Sequence, residues 1–336
     1  MRAKSLRGAL SAAMVAAVVG ATGCDAAGSA EGGDEPYVIV LGIAQDGGFP
    51  QLGTPPGPVW EPANRRLVSS LGLVDPVSGE RWLFDATPDV AEQIARLDAV
   101  APRLGDDRPI IDGIFLTHAH MGHYAGLLQF GREALGAHQI AVYAMPRMRE
   151  FLVSNGPWSQ LVELENIGVR PLEAGVAVQL NDRLSVTPLV VPHRDEYSET
   201  VGFVIERASV GGGTAVGEAA PVRALYLPDI DKWERWDSAG TRLEDVLEQV
   251  NVAWIDGTFM QDGEIPGRAM DEIPHPFMVE TMERIEARAP HLKHRVRFIH
   301  LNRTNPALLE GAARAETEAR GFGIAREGDV WVFEGG

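Results

Sequence analysis

Residues 117–123 read Thr117-His118-Ala119-His120-Met121-Gly122-His123, directly after the apolar run Ile114-Phe115-Leu116. That run predicts a buried strand delivering His118 at its C-terminal end. In extended backbone, positions i and i+2 point the same way, so His118 and His120 can reach one ion. His123 then falls on the turn into a helix. Neutral imidazole is the commonest transition-metal ligand, and three of the chain's nine histidines are gathered in this one motif. The plain alternative is a solvated histidine loop, and the density of the cluster argues against it.

Working outward, three more polar residues end apolar runs. His193 follows Leu189-Val190-Val191-Pro192, Asp229 follows Leu225-Tyr226-Leu227-Pro228, and His300 follows Val296-Arg297-Phe298-Ile299. Side chains from the ends of several strands can converge on one rim. The strands themselves are expected over 37–41, 66–74, 81–85, 114–117, 140–144, 184–191, 201–206, 224–227, 252–255, 296–300 and 330–333, from β-branched and apolar runs bounded by turn residues. Helical spacing is expected over 89–98, 125–135, 242–250, 276–287 and 306–320, with Pro146 opening another helix. Gly211-Gly212-Gly213 marks an exposed turn. Strands followed by strand–helix alternation, twice over, suit a layered α/β architecture.

The ends of the chain and its charge bound the setting. Arg2, Lys4 and Arg7 precede a short apolar stretch over 9–19, and Ala21-Thr22-Gly23 precede Cys24, the chain's single cysteine. This pattern predicts a signal segment over 1–23 and a lipid on Cys24, as in bacterial lipoproteins. A flexible tether is expected over 24–36, and one catalytic domain over 37–336. The exported protein would then be tied to the membrane at the cell envelope. The formal charge of −17 repels phosphate backbones, so the expected partner is a small-molecule substrate and not a nucleic acid.

His118-x-His120-x-x-His123, then His193, Asp229 and His300, resembles the ordered motifs of the metallo-β-lactamase superfamily. The resemblance implies a four-layer αββα sandwich with a metal site on one edge. It implies one metal position at His118, His120 and His193, a second at His123 and His300, and Asp229 bridging. More narrowly, the chain is similar to relatives of the pyrroloquinoline quinone biosynthesis protein B family. The carriers are Gln45-Asp46-Gly47-Gly48-Phe49-Pro50-Gln51, Pro274-His275-Pro276 and His300-Leu301-Asn302-Arg303-Thr304-Asn305-Pro306. Two departures stand out. The acidic residue that the superfamily sets before the third histidine is Gly122 here, leaving the second position one carboxylate short. The cysteines that relatives carry after the glycine-rich loop are replaced by Leu52-Gly53-Thr54-Pro55, so their structural zinc and a role in quinone synthesis do not carry over.

The leading expectation is a zinc hydrolase acting on an ester, lactone, amide or phosphoester, with one tightly bound ion and Asp229 holding its water. The alternatives are a mononuclear iron oxidoreductase built on His118, His193 and Asp229, and a metal-binding lipoprotein without turnover. Around this core, Asp46 is read as an Asx-turn residue before Gly47, with replacement of the missing carboxylate as the alternative. Asp85 either buttresses the histidine loop or caps the helix over 89–98. His275 is read as a catalytic acid or substrate contact, or as a plain loop histidine. Tyr197 and Glu199 are rim candidates, and Trp233 and Trp236 line a pocket or pack in the core. His138, His291 and His294 are read as surface residues. Mass spectrometry of the membrane fraction should find a diacylated N-terminal Cys24; a mature chain starting elsewhere would remove the lipid anchor.

Overall fold

Alternating and continuous apolar runs pair, among the described residues, into two seven-stranded sheets. The structure, a computed structural model, describes residues 33–334 apart from 104, 106–107, 210–219, 268 and 271–272. The signal segment, Cys24 and the Gly211-Gly212-Gly213 turn lie outside the described residues.

Sheet one holds β1 (Tyr37–Gly42), β2 (Ser70–Asp75), β3 (Glu80–Phe84), β4 (Gly113–Phe115), β5 (Ile140–Ala144), β6 (Ile167–Pro171) and β14 (Val330–Val332), in the order β14-β1-β2-β3-β4-β5-β6. Sheet two holds β7 (Val178–Gln179), β8 (Leu184–Val190), β9 (Val201–Arg207), β10 (Val222–Leu227), β11 (Val252–Asp256), β12 (Val296–Ile299) and β13 (Gly323–Ile324), in the order β13-β12-β11-β10-β9-β8-β7. The helices are α1 (Val90–Val100), α2 (Met121–Tyr124), α3 (Pro146–Ser154), α4 (Trp158–Glu163), α5 (Trp233–Ser238), α6 (Leu243–Glu248), α7 (Met278–Arg288) and α8 (Ala312–Ala319).

The sheets meet over Phe84, Phe115, Phe203 and Tyr226, all fully buried. Phe84 stands 5.4 Å from Phe115, 5.6 Å from Phe203 and 5.9 Å from Tyr226 between ring centroids. Burying a phenylalanine side chain of this kind stabilises by about 1.5–3 kcal/mol. On the outer face of sheet one, Leu97 of α1, Leu152 of α3 and Leu161 of α4 pack with Leu83, Ile114 and Val142. Leu247 of α6 and Met282 and Ile285 of α7 join the apolar cluster of sheet two. Helices outside two facing sheets make the αββα sandwich that the motifs imply.

Strand direction decides where function can sit. β1 and β3 are both antiparallel to β2, and β4 is parallel to β3. β10, β11 and β12 are mutually parallel, and β8 joins their direction through antiparallel β9. The C-terminal ends of β1, β3 and β4 therefore share one edge of sheet one, and those of β8, β10, β11 and β12 share one edge of sheet two. The two edges are stitched together by backbone bonds, from Leu301 N to Ile43 O (2.8 Å) and from Val201 N to Thr117 O (3.1 Å).

Several expected elements differ. The helix expected over 125–135 is the single turn of α2 followed by a 3-10 stretch, Ala125–Phe130. Gly126 there is packed so closely on the Thr87 carbonyl that no side chain fits. The helix expected from 306 starts only at Ala312, because Asn305 Oδ1 accepts from Ala307 N (2.9 Å) and holds the chain in a turn. Strands β6, β7 and β13 are additional to the expected set; β6 is half exposed and ends at Pro171, as suits an edge. The end of the expected tether is held to the body, since Glu35 pairs with Arg207 at 2.7 Å.

Gly126 supports the histidine turn directly: its N–H donates to Ala86 O (2.9 Å). A Cβ there would lie 2.8 Å from the Thr87 carbonyl carbon and overlap its oxygen. Gly126→Ala should destabilise by about 1–3 kcal/mol, read as a lowered urea midpoint with unchanged slope.

Candidate metal centre

Seven site residues end or follow strands whose C-terminal ends lie at this rim. Asp46 follows β1, Asp85 β3, His118 β4, His193 β8, Asp229 β10, Asp256 ends β11 and His300 follows β12. The expected residues come together at the rim. His118, His120 and His193 have ligand atoms within 4.8 Å of one another, as do His118, His123 and Asp229, and also His193, Asp229 and His275. Asp229 is central: its Oδ2 lies 3.0 Å from His123 Nε2, 3.2 Å from His300 Nε2 and 3.9 Å from His118 Nε2, and its Oδ1 lies 3.6 Å from His193 Nε2.

The Nδ1 atoms of His118, His123 and His300 have hydrogen-bond partners, which turns Nε2 of each ring inward. Asp85 accepts from Thr117 N (2.8 Å), from Thr117 Oγ1 (2.9 Å) and from His123 Nδ1 (2.7 Å). Thr117 spends its only hydroxyl proton on Asp85, so it accepts from His118 Nδ1 (3.0 Å) and leaves His118 Nε2 unprotonated. His193 Nδ1 faces Asp231 Oδ1 at 3.3 Å, and His300 Nδ1 lies 3.1 Å from Thr258 Oγ1. Asp85 thus buttresses the histidine turn and does not cap α1.

What remains facing inward is a set of buried polar atoms without hydrogen-bond partners: His123 Nε2, His193 Nε2, His300 Nε2, Asp229 Oδ2 and Asp46 Oδ1. A buried polar group without a partner costs about 1–3 kcal/mol. Several converging on one spot is the donor set of a metal ion, and imidazole nitrogen with carboxylate oxygen suits a first-row divalent cation.

Electrostatics divide the histidines. Burial holds His118 well below the ordinary imidazole range, with neighbouring His123 adding to the effect. Burial likewise lowers His120 and His300. Such neutral rings are ready ligands. His123 goes the other way: burial opposes its charge, but Asp85 and Asp229 outweigh it and raise it well above the usual range. Burial also opposes charge on Asp229, yet His300, His123 and His118 hold its carboxyl well below the usual range. His123 thus lies between two carboxylates, Asp85 at Nδ1 and Asp229 at Nε2, in surroundings that favour positive charge.

His275 forms a second His–carboxylate pair beside the centre. Its Nδ1 donates to Asp256 Oδ2 at 2.7 Å, and the same carboxylate accepts from Ile230 N and Thr258 N. Burial opposes charge on His275, but Asp256 and then Asp229 raise it to about 9. Beyond Phe277 lies a cleft of about 1130 Å³ lined by Lys232, Gln261, Met270, Phe277 and Glu280.

The sequence reading missed Asp256 and Asp231, although Asp256 ends an apolar strand just as Asp229 follows one. It also missed Glu196, whose Oε2 lies 3.3 Å from His120 Nε2. Asp46 is corrected: its Oδ1 makes no turn bond and faces His123 Nε2 at 3.5 Å. Trp233 and Trp236 are core residues, with Trp233 Nε1 donating to Thr281 Oγ1 (2.9 Å). Tyr197 is exposed, Glu199 binds Arg147 N, and His138, His291 and His294 lie on the surface.

The comparisons agree with this fold. The sequence pattern described as the beta-lactamase superfamily domain matches residues 80–301. A protein of Xanthomonas oryzae pv. oryzae named coenzyme PQQ synthesis protein B is 29% identical over 308 residues, covering 87% of this chain and 98% of its own. Its namesake in Rhizobium meliloti is 28% identical over 316 residues, covering 87% and 96%. Among solved structures, zinc-bound PqqB from Methylobacterium extorquens is similar with a TM-score of 0.67 at 23% identity, covering 88% of this chain and 99% of that one. A diphosphatase of the PhnP family follows at 0.57 and 20%, covering 90% and 98%.

His118→Ala and His193→Ala each remove one imidazole of the most histidine-rich group. Each should lose the ion held by that group, read as a lower metal content by elemental analysis after dialysis, with the fold retained by circular dichroism. Metal content equal to that of the wild type in the double variant would show that no ion sits on this group.

Proposed function

We propose that this chain, which belongs to the beta-lactamase superfamily, is a metal-dependent hydrolase acting on a small ester, lactone, amide or phosphoester. The observation that carries the reading is the convergence of unpartnered, buried His123 Nε2, His193 Nε2, His300 Nε2 and Asp229 Oδ2 on one rim. His118, His120 and His193 would hold a zinc ion, which when bound would supply a Lewis acid and acidify water toward neutrality.

The chain's own groups do the rest. Asp229, kept anionic by the surrounding imidazoles, accepts a proton or hydrogen bond from the attacking water. His275 is the proton donor. With Asp256 accepting at Nδ1, its ring carries a second proton at neutral pH and can give it to the departing oxygen or nitrogen. Glu196 and Arg194, half or more exposed beside His120, stand where a substrate enters. The signal pattern and Cys24 support placing this activity at the cell envelope.

A second reading, an iron oxidoreductase centred on His118, His193 and Asp229, has one observation in its favour: the relatives named for coenzyme PQQ synthesis match nearly their whole length. Metal-stripped protein reloaded with zinc or iron separates the two. Hydrolysis of p-nitrophenyl esters, lactones or bis(p-nitrophenyl) phosphate with zinc supports the hydrolase; oxygen uptake with iron alone, and no hydrolysis, overturns it.

His275→Gln should lower kcat by about 10²–10⁴-fold on substrates with a poor alkoxide or amine leaving group, with KM little changed. The loss should shrink on p-nitrophenolate leaving groups, which need no proton. An equal loss on both would make His275 a structural or binding residue.

A further inference from the structure

We propose that Asp46 is a carboxylate ligand of the second metal position, standing in for the acidic residue that Gly122 replaces. The inference rests on the metal-centre reading above and changes its expected stoichiometry from one ion to two.

The donors are in place. Asp46, His123 and His300 offer ligand atoms within 4.8 Å of one another. Asp46 Oδ1, His123 Nε2 and His300 Nε2 are each buried and without a hydrogen-bond partner. His123 and His300 are completely buried. Their Nδ1 atoms are engaged by Asp85 and Thr258, so each has only Nε2 to offer, and Nε2 faces Asp46 and Asp229. Two imidazoles with two carboxylates are an ordinary set for a divalent cation.

Gly122 is what lets Asp46 in. A Cβ at position 122 would lie 2.5 Å from Asp46 Cα and overlap Asp46 Oδ1. Gly122 is absent from the glycines with left-handed φ. Its lack of a side chain therefore serves the close approach and not an unusual backbone angle. The space beside His123 holds a carboxylate from position 46 or one from position 122, never both.

The loop of Asp46 is registered to the second histidine of the position. Gln45 N donates to Leu301 O (2.9 Å) and Leu301 N to Ile43 O (2.8 Å), while the Asn302 side-chain amide donates to Gln45 Oε1. Asp46 and His300 thus sit on two segments zipped together immediately beside them. Residues 45–51 and 300–306, separate in sequence, act as one structural unit that aims a carboxylate and an imidazole at the same point.

The test is metal content. Protein loaded with zinc and dialysed should hold two ions per chain by elemental analysis, and cobalt(II) titration should give two spectral phases. Asp46→Asn keeps the shape but removes the charge, and should hold one ion, with the second bound at least about tenfold more weakly. Gly122→Ala should lose the same ion with Asp46 still present, because the methyl group displaces it. A wild type holding one ion, or an Asp46→Asn variant holding two, overturns the proposal and leaves the His118–His120–His193 reading standing. A wild type that holds no metal overturns both.

Discussion

A single buried carboxylate, Asp85, holds the histidine turn in shape. It accepts from the backbone and hydroxyl of Thr117 and from His123 Nδ1, and the Tyr226 hydroxyl reaches it from the other sheet at 3.4 Å. Asp85 has a φ of 68°, a left-handed conformation that costs a non-glycine residue of order 1–3 kcal/mol. Such a backbone persists only where its surroundings over-determine it, and four donors from three segments do so here. The strain has a geometric product. It turns the chain at the end of β3 so that the carboxylate points along β4 and meets the motif. Through Thr117 it also sets the tautomer of His118, one bond further out. Ligand orientation at the centre is thus decided in the layer behind it.

The rim was legible because strand endings carry a pattern that sequence displays. Apolar runs closed by His118, His193, Asp229 and His300 are read without knowing which strands pair, and parallel direction does the gathering. Asp256 closes Val252-Ala253-Trp254-Ile255 in the same way and was readable on equal terms. Its importance depends on His275, nineteen residues later and outside any periodic element, which no local pattern ties to it. Asp46 was misread for a related reason. Asp-Gly-Gly has the chemistry of a turn, and the residue does sit in one. Its side chain faces a residue 77 positions away, and the loop that carries it is held where the ends of β1 and β12 join across the two sheets. The helix expectations failed where side chains or close backbone contacts, Asn305 and Gly126, overrode helical spacing.

The two His–carboxylate pairs, one per sheet, show how similar chemistry is given different work. Asp85–His123 and Asp256–His275 share a 2.7 Å bond from Nδ1, complete burial of the carboxylate and a raised imidazole. They differ in where Nε2 goes. His123 Nε2 meets Asp229 Oδ2 at 3.0 Å and Asp46 Oδ1 at 3.5 Å, so it is surrounded by anionic oxygens that a cation shares. His275 approaches Asp229 through Nδ1, at 3.7 Å, the nitrogen already bound to Asp256. The same dyad turns Nε2 toward Asp229 in one sheet and Nδ1 in the other. The choice is made by which strand end each histidine is folded against.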